Sequence, residues 1–177
     1  MTDAPLTGSQ RYAFADGPTA DVEVSVPVPP AALWPLVTDI NVPARFSGEF
    51  LGAEWLDGAA GPALGARFAG SNTRDGRNWT APSTVVVFEE GAAFGWDVGD
   101  PADPIASWRY FLTSEAGGTR LRHWARLGPG PSPTRQRCLD DPAGEHDILV
   151  ERLAIHRRNM QAVVEGIAAL AAGDTAP

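Results

Sequence analysis

Leu149, Leu153, His156, Met160, Val163, Ile167 and Leu170 recur at steps of four and three near the end of the chain. That spacing places all seven on one face of a helix. Arg152, Arg157, Arg158, Gln161 and Glu165 fall elsewhere on the wheel and suit water. Asp141 is the expected cap, Pro142 the expected first helical residue, and Gly173 the glycine beyond the end. The helix expected over 141–172 spans roughly 45 Å at about 1.5 Å per residue. A single apolar stripe of that length needs one broad partner surface, and the rest of the chain has to supply it.

The preceding residues read as strands. Val22, Val24, Val26 and Val28 alternate with Asp21, Glu23, Ser25 and Pro27, the pattern of a half-buried strand. Pro29-Pro30 stops it and starts a short helix over 31–39, which Pro35 should kink or shorten. A second short turn is expected over 42–46, a strand over 50–57 and a loop over 58–65. Asp75-Gly76 is a two-residue hairpin turn between strand-like runs in 66–90. It sets Arg74 opposite Arg77 and Asn72 opposite Trp79. Counting by twos puts Phe68, Gly70, Asn72, Arg74, Arg77, Trp79, Val85 and Val87 on one face, unless a bulge intervenes. Strands over 92–99, 105–115 and 119–127 follow. In the last, Arg120, Arg122 and Arg126 share the wet face, so His123 points inward. Residues 128–140 read as a Gly/Pro loop, long enough to act as a lid.

Strands in a run with segregated helices define an α+β fold with an antiparallel sheet. A curved sheet wrapped around one long helix encloses a hydrophobic cavity with few polar groups. The 177 residues suffice for one domain with a substantial core. We expect a flexible leader over 1–19, the domain over 20–172 and a tail over 173–177. The net charge of −8 excludes the basic footprint of a nucleic-acid binder. One cysteine, Cys138, leaves no internal disulfide and fits a reducing cytoplasm. No signal peptide and no stable membrane insertion are expected.

Several stretches carry a family resemblance: VEVSVPVPPAALWPLVTD (22–39), FAGSNTRDGRNWT (68–80), AFGWDVGDPAD (93–103), SWRYFL (107–112) and GGTRLRHW (117–124). With the element order, they resemble the helix-grip superfamily of START domains, the major birch allergen and bacterial polyketide cyclases/dehydrases, over roughly residues 20–172. The resemblance implies binding of a lipid, polyketide or hormone, and in some members cyclisation or dehydration of poly-ketone chains. It transfers no catalytic signature residue by residue.

Candidate site residues come from the strand and helix faces. His123 faces inward and His156 lies on the helix stripe with Met160. Histidine suits proton transfer near neutral pH; each ring also has a core reading, satisfied by a neighbour. Arg74 and Arg77, facing each other, call for a negative group between them: a ligand carboxylate, an enolate or a nearby acid. We read His123, Arg74 and Asn72 as the catalytic candidates. Trp79, Trp96, Phe94, Arg77, Trp108, His156 and Met160 are the substrate-binding candidates. Six tryptophans, with Phe94, Tyr110 and Phe111, crowd the sheet and suit a planar ligand. Asp97 and Arg109 have the opposite parity and suit an ion pair on the outer face. No phosphate loop, zinc spacing or nucleophile elbow occurs, so no cofactor and no metal are expected. The expected partner is a hydrophobic small molecule, bound by a monomer or homodimer. Its handling is either cofactor-independent cyclisation/dehydration or plain carriage and sensing. A third reading, an interaction module, needs an apolar outer patch near Trp124.

Overall fold

The computed structural model describes residues 11–173. One seven-stranded antiparallel sheet holds the strands β1 (Thr19–Val26), β2 (Phe50–Trp55), β3 (Arg67–Arg74), β4 (Arg77–Glu89), β5 (Ala93–Asp100), β6 (Asp103–Glu115) and β7 (Gly118–Leu127). Their order across the sheet is β1-β7-β6-β5-β4-β3-β2. Strands β2 to β7 follow one another as hairpins, and β1 returns to pair with β7. Helix α1 (Pro30–Thr38) and a 3-10 turn (Val42–Arg45) follow β1. Helices α2 (Pro133–Asp140) and α3 (Glu145–Ala171) close the chain. This is the curled sheet and long terminal helix of a helix-grip α+β fold.

The expected stripe of α3 is where the sheet grips it. Leu149, Leu153, His156, Met160, Val163 and Ile167 are buried, and Leu170 is half-buried. Each buried aliphatic side chain contributes about 1.5–3 kcal/mol. The packing falls into two apolar clusters. One gathers Phe14, Ala20, Ala125, Leu127, Ile148, Leu149, Leu153 and Met160. The other joins the C-terminal half of α3, through Val163, Val164 and Ile167, to α1, Phe68, Phe94 and Leu121. His156 lies on α3 between them. Gly166 lets the Phe46 ring lie flat on the helix, because a Cβ there would enter the ring. On an open helix face Gly→Ala gains about 1 kcal/mol. Here Gly166→Ala is expected to lose about 2 kcal/mol net by overpacking, read as a lower urea midpoint; a raised midpoint would refute the contact.

The hairpin turn forms as read: Asp75 and Gly76 both take positive φ (51° and 74°), the pairing Arg74↔Arg77 and Asn72↔Trp79 follows, and the turn is the I′ type that matches strand twist. Four expectations need correction. A bulge in β4 sets Val85 opposite Trp96 but Val87 opposite Gly95, so Val87 leaves the inner face and Phe88 replaces it opposite Phe94. Residues 128–140 are not a lid. The N–H groups of Gly128 and Gly130 donate to Ile105 and Pro104 carbonyls, extending the β6–β7 edge. Ser132 then caps α2 by accepting from Arg135 N at 3.1 Å, with Pro133 in the first turn. That Ser-Pro pair is a helix start hidden in a Gly/Pro run. Asp141 ends α2, and α3 begins only at Glu145. Finally, residues 11–18 are not a loose leader. Tyr12 N donates to His146 Nδ1 and Phe14 N to Glu145 Oε1, both at 2.9 Å, and His146 is half-buried. Residues 1–10 of the expected leader and 174–177 of the expected tail lie outside the described residues.

Candidate functional site

Alternation along Ser107-Trp108-Arg109-Tyr110-Phe111 aims Trp108 and Tyr110 at the interior. Pairing then assembles a set of rings on that face: Trp96↔Trp108 and Phe94↔Tyr110 from β5, and Tyr110↔His123 from β7. The Tyr110 and His123 rings stack with centroids 4.1 Å apart. Ala125 stands opposite Trp108, and its small side chain lets the indole reach His123 (5.6 Å) and His156 of α3 (5.0 Å). Trp96 and Trp108 are near parallel at 16°. Phe94, Tyr110, His123, His156 and Met160 are all at most 4% exposed.

The polar content of this interior is small and unusual. Tyr110 Oη, both ring nitrogens of His123 and both of His156 are buried with no hydrogen-bond partner among the described residues. Most buried polar atoms are paired, because an unpaired one forfeits about 1–3 kcal/mol. Burial pushes His123 down to about 3. His156 is held well below its usual value by burial first, then by the guanidiniums of Arg152 and Arg74, by His123 once that ring is protonated, and by Arg157. Burial raises the Tyr110 phenol. All three are neutral at neutral pH, so each imidazole offers one N–H donor and one acceptor.

The convex side of the same strands holds the rings in place. Arg109 Nη2 meets Asp97 Oδ1 at 2.8 Å, and its Nη1 donates to the Trp96 and Trp108 carbonyls at 2.6 and 2.8 Å. The expected outer ion pair is therefore also a clamp across the two tryptophans. Around Trp124 the convex face carries the pairs Arg122–Asp21 and Arg120–Glu115; it is charged rather than apolar.

A second group sits at the hairpin end. Glu49 Oε1 and Oε2 each accept from Arg152 at 2.8 Å, and Glu49 lies 3.7 Å from Arg74. Arg74 also covers the Trp79 ring at 5.8 Å. The negative group called for beside Arg74 is thus Glu49, with Asp75 at 3.9 Å. Arg77 is exposed and Trp79 is 38% exposed. Asn72 Nδ2 donates to Gly70 O. So the structure brings Phe94, Trp96, Trp108, His123, His156 and Met160 together, and sets Asn72, Arg74, Arg77 and Trp79 apart at the hairpin. Sequence reasoning missed Tyr110 as a site residue, although its parity with Trp108 marks it. It also set Arg152 in water, whereas that side chain is 17% exposed; nothing in the sequence flags its partner Glu49. Two shallow concavities, of about 340 and 370 Å³, lie on the surface beside Pro131–Leu139 residues and beside Pro27–Pro30, away from these rings. No cluster of three metal-ligating side chains occurs among the described residues, and none of their helices is long and apolar enough to cross a membrane.

A curled sheet gripping one helix around an aromatic interior with a few polar groups defines a helix-grip protein. The chain belongs to the family described as polyketide cyclase / dehydrase and lipid transport, whose profile matches residues 18–167. A polyketide-cyclase-like protein of Corynebacterium glutamicum is 27% identical, over 86% of this chain and 88% of its own, with a TM-score of 0.52. The Zhui aromatase/cyclase of a Streptomyces species shares the fold at 15% identity and a TM-score of 0.62, covering 88% and 93% of the two chains. So does a two-domain aromatase/cyclase, BexL of the BE-7585A biosynthetic pathway, at 15% identity and a TM-score of 0.64, over 90% of this chain and 50% of that one. No curated protein matches the chain.

Proposed function

We propose that the interior between the sheet and α3 takes up a planar, hydrophobic, polyketide-like molecule bearing carbonyl or hydroxyl oxygens. The observation that carries this reading is the set of five partnerless polar atoms on Tyr110, His123 and His156, buried among aromatic rings. A ligand oxygen beside them would complete hydrogen bonds that the protein leaves open, while Trp96 and Trp108 flank its flat body. The family description and the aromatase/cyclase neighbours support this ligand class.

With a poly-ketone ligand the reaction is a cofactor-independent cyclisation or dehydration. The interior holds the chain in one productive fold, and orientation alone can supply several kcal/mol. His123 accepts the proton that leaves the carbon next to a carbonyl, and Tyr110 or His156 donates to the developing enolate oxygen. The test is His123→Phe, which keeps an aromatic ring at the position and removes both nitrogens. Product formation from a poly-β-ketone thioester is expected to fall about 10²–10⁴-fold, with ligand affinity changed less than about tenfold. Unchanged turnover with intact thermal stability would end the catalytic reading. One observation favours a second reading, a non-catalytic carrier or sensor: a histidine held down to about 3 is a weak base. The carrier predicts tight ligand binding without turnover in the unaltered protein, and mass spectrometry of a solvent extract would name the cargo.

A further inference from the structure

The interior is electrically one-sided. At its hairpin end two guanidiniums, Arg152 and Arg74, share one carboxylate, Glu49; the three side chains are 17%, 29% and 13% exposed. The trio carries one uncompensated positive charge. Asp75, the other acid near Arg74, is 91% exposed, so water screens it. One turn along α3 from Arg152 lies His156, 4% exposed with both ring nitrogens unpartnered. The guanidiniums of Arg152, Arg74 and Arg157 all bear on that ring. In a chain of net charge −8, this concentrates positive potential where a ligand would lie.

We propose that Arg152 and Arg74 form an anion subsite: the ligand carries a carboxylate, which replaces that of Glu49 on the two guanidiniums. The idea rests on the reading that a ligand enters the interior, and narrows it to a hydrophobic acid. The acid end lies against Arg152 and Arg74, His156 donates to a neighbouring oxygen, and the apolar body runs past Trp108 towards Trp96. Glu49 holds the guanidinium fork of Arg152 in bidentate geometry until the ligand's carboxylate takes it over. Arg152 therefore exchanges one such pair for another and is never left bare, which suits a guanidinium better than an ammonium.

The experiment compares 2-naphthoic acid with its methyl ester, titrated at low salt and followed by tryptophan fluorescence. The acid is expected to bind about tenfold more tightly, the net effect of the trio's uncompensated positive charge on a carboxylate in a half-buried site, since the bidentate pair itself is exchanged rather than gained. Arg152→Gln should bring the two within about threefold by weakening the acid alone. Glu49→Gln removes the internal competitor and should tighten the acid but not the ester. If Arg152→Gln fails to fold because Glu49 loses its partner, the pair Glu49→Gln/Arg152→Gln answers the same question: loss of acid preference supports the subsite, and its survival overturns it. Equal affinity for acid and ester in the unaltered protein also overturns it, and leaves the interior-binding reading standing. Failure of both compounds to bind removes that reading and the subsite with it.

Discussion

Lowering the pH from 7 to 5 is expected to remove about 2 kcal/mol of folding stability through His123, and His156 adds a loss of the same sign. The folded protein refuses these protons: His123 is held down to about 3, and His156 well below 6.5. Once unfolded, both rings recover the ordinary value of 6.5 and take up protons below it. The unfolded state therefore binds more protons, and stability rises with pH. The contribution is complete above pH 6.5 and is lost progressively as the pH falls from there towards the folded values. For a chain of this size the His123 share alone is a drop in Tm of roughly 4–8 °C, to which His156 adds. Urea unfolding at pH 7, 6 and 5, followed by tryptophan fluorescence, measures it. The double variant His123→Gln/His156→Gln should flatten the slope over this range; an unchanged slope would place its source elsewhere. A ligand that accepts hydrogen bonds from both rings should also reduce the loss, since proton uptake would then compete with unfolding of the complex.

Gly95→Ala is expected to cost about 3 kcal/mol or more, far beyond the usual effect of one methyl group on a strand. Gly95 pairs with Arg109 across β5 and β6. Its missing side chain is what lets the Arg109 stem cross the convex face. A Cβ at that position would collide with the Arg109 Cδ and lie 2.7 Å from the Trp108 carbonyl oxygen. The Trp108 carbonyl is backbone and cannot swing away. Displacing the guanidinium breaks its bonds to Asp97, Trp96 O and Trp108 O together. It also leaves the Asp97 carboxylate, 8% exposed, without its counter-charge. Because the clamp lies directly behind Trp96 and Trp108, near-ultraviolet circular dichroism should change along with the guanidinium midpoint. An unaltered midpoint and spectrum would mean that Arg109 merely decorates the surface.

The grip fold was legible because two periodicities are strong and consistent along the chain. The step of four and three from Leu149 to Leu170 identified α3, and the Arg120-Arg122-Arg126 alternation turned His123 inward without any knowledge of its neighbours. Asp75-Gly76 fixed a register that the structure reproduces. What escaped were features that break a period or depend on distant residues. The β4 bulge adds one residue, which inverts the parity of Val87 and Phe88, and no local residue type announces it. Helix α2 is short and polar on most of its surface, and Ser132-Pro133 was its one readable signal within a Gly/Pro run. Arg152 was assigned to water because a helical wheel shows only the angle of a side chain. Its partner Glu49 comes from a turn 103 positions away, a separation that periodicity cannot bridge. His123 and His156 were visible as inward-facing, but their lack of partners emerges only once every surrounding donor and acceptor has been placed.

The pairing of β1 with β7 has a consequence for synthesis. Asp21 and Arg122, which meet across that seam, stand 101 positions apart. While a ribosome is still making the middle of the chain, β2 to β6 can zip as successive hairpins, but β1 has no strand to join. The helix that covers the concave face is made after all seven strands. The nascent sheet therefore spends its assembly with its aromatic side uncovered and one strand unpaired, a state in which exposed apolar surface invites association with other chains. The acids Asp21 and Glu23 on the outward side of β1 place charge on that waiting strand, the kind of feature that discourages edge-to-edge pairing until β7 emerges.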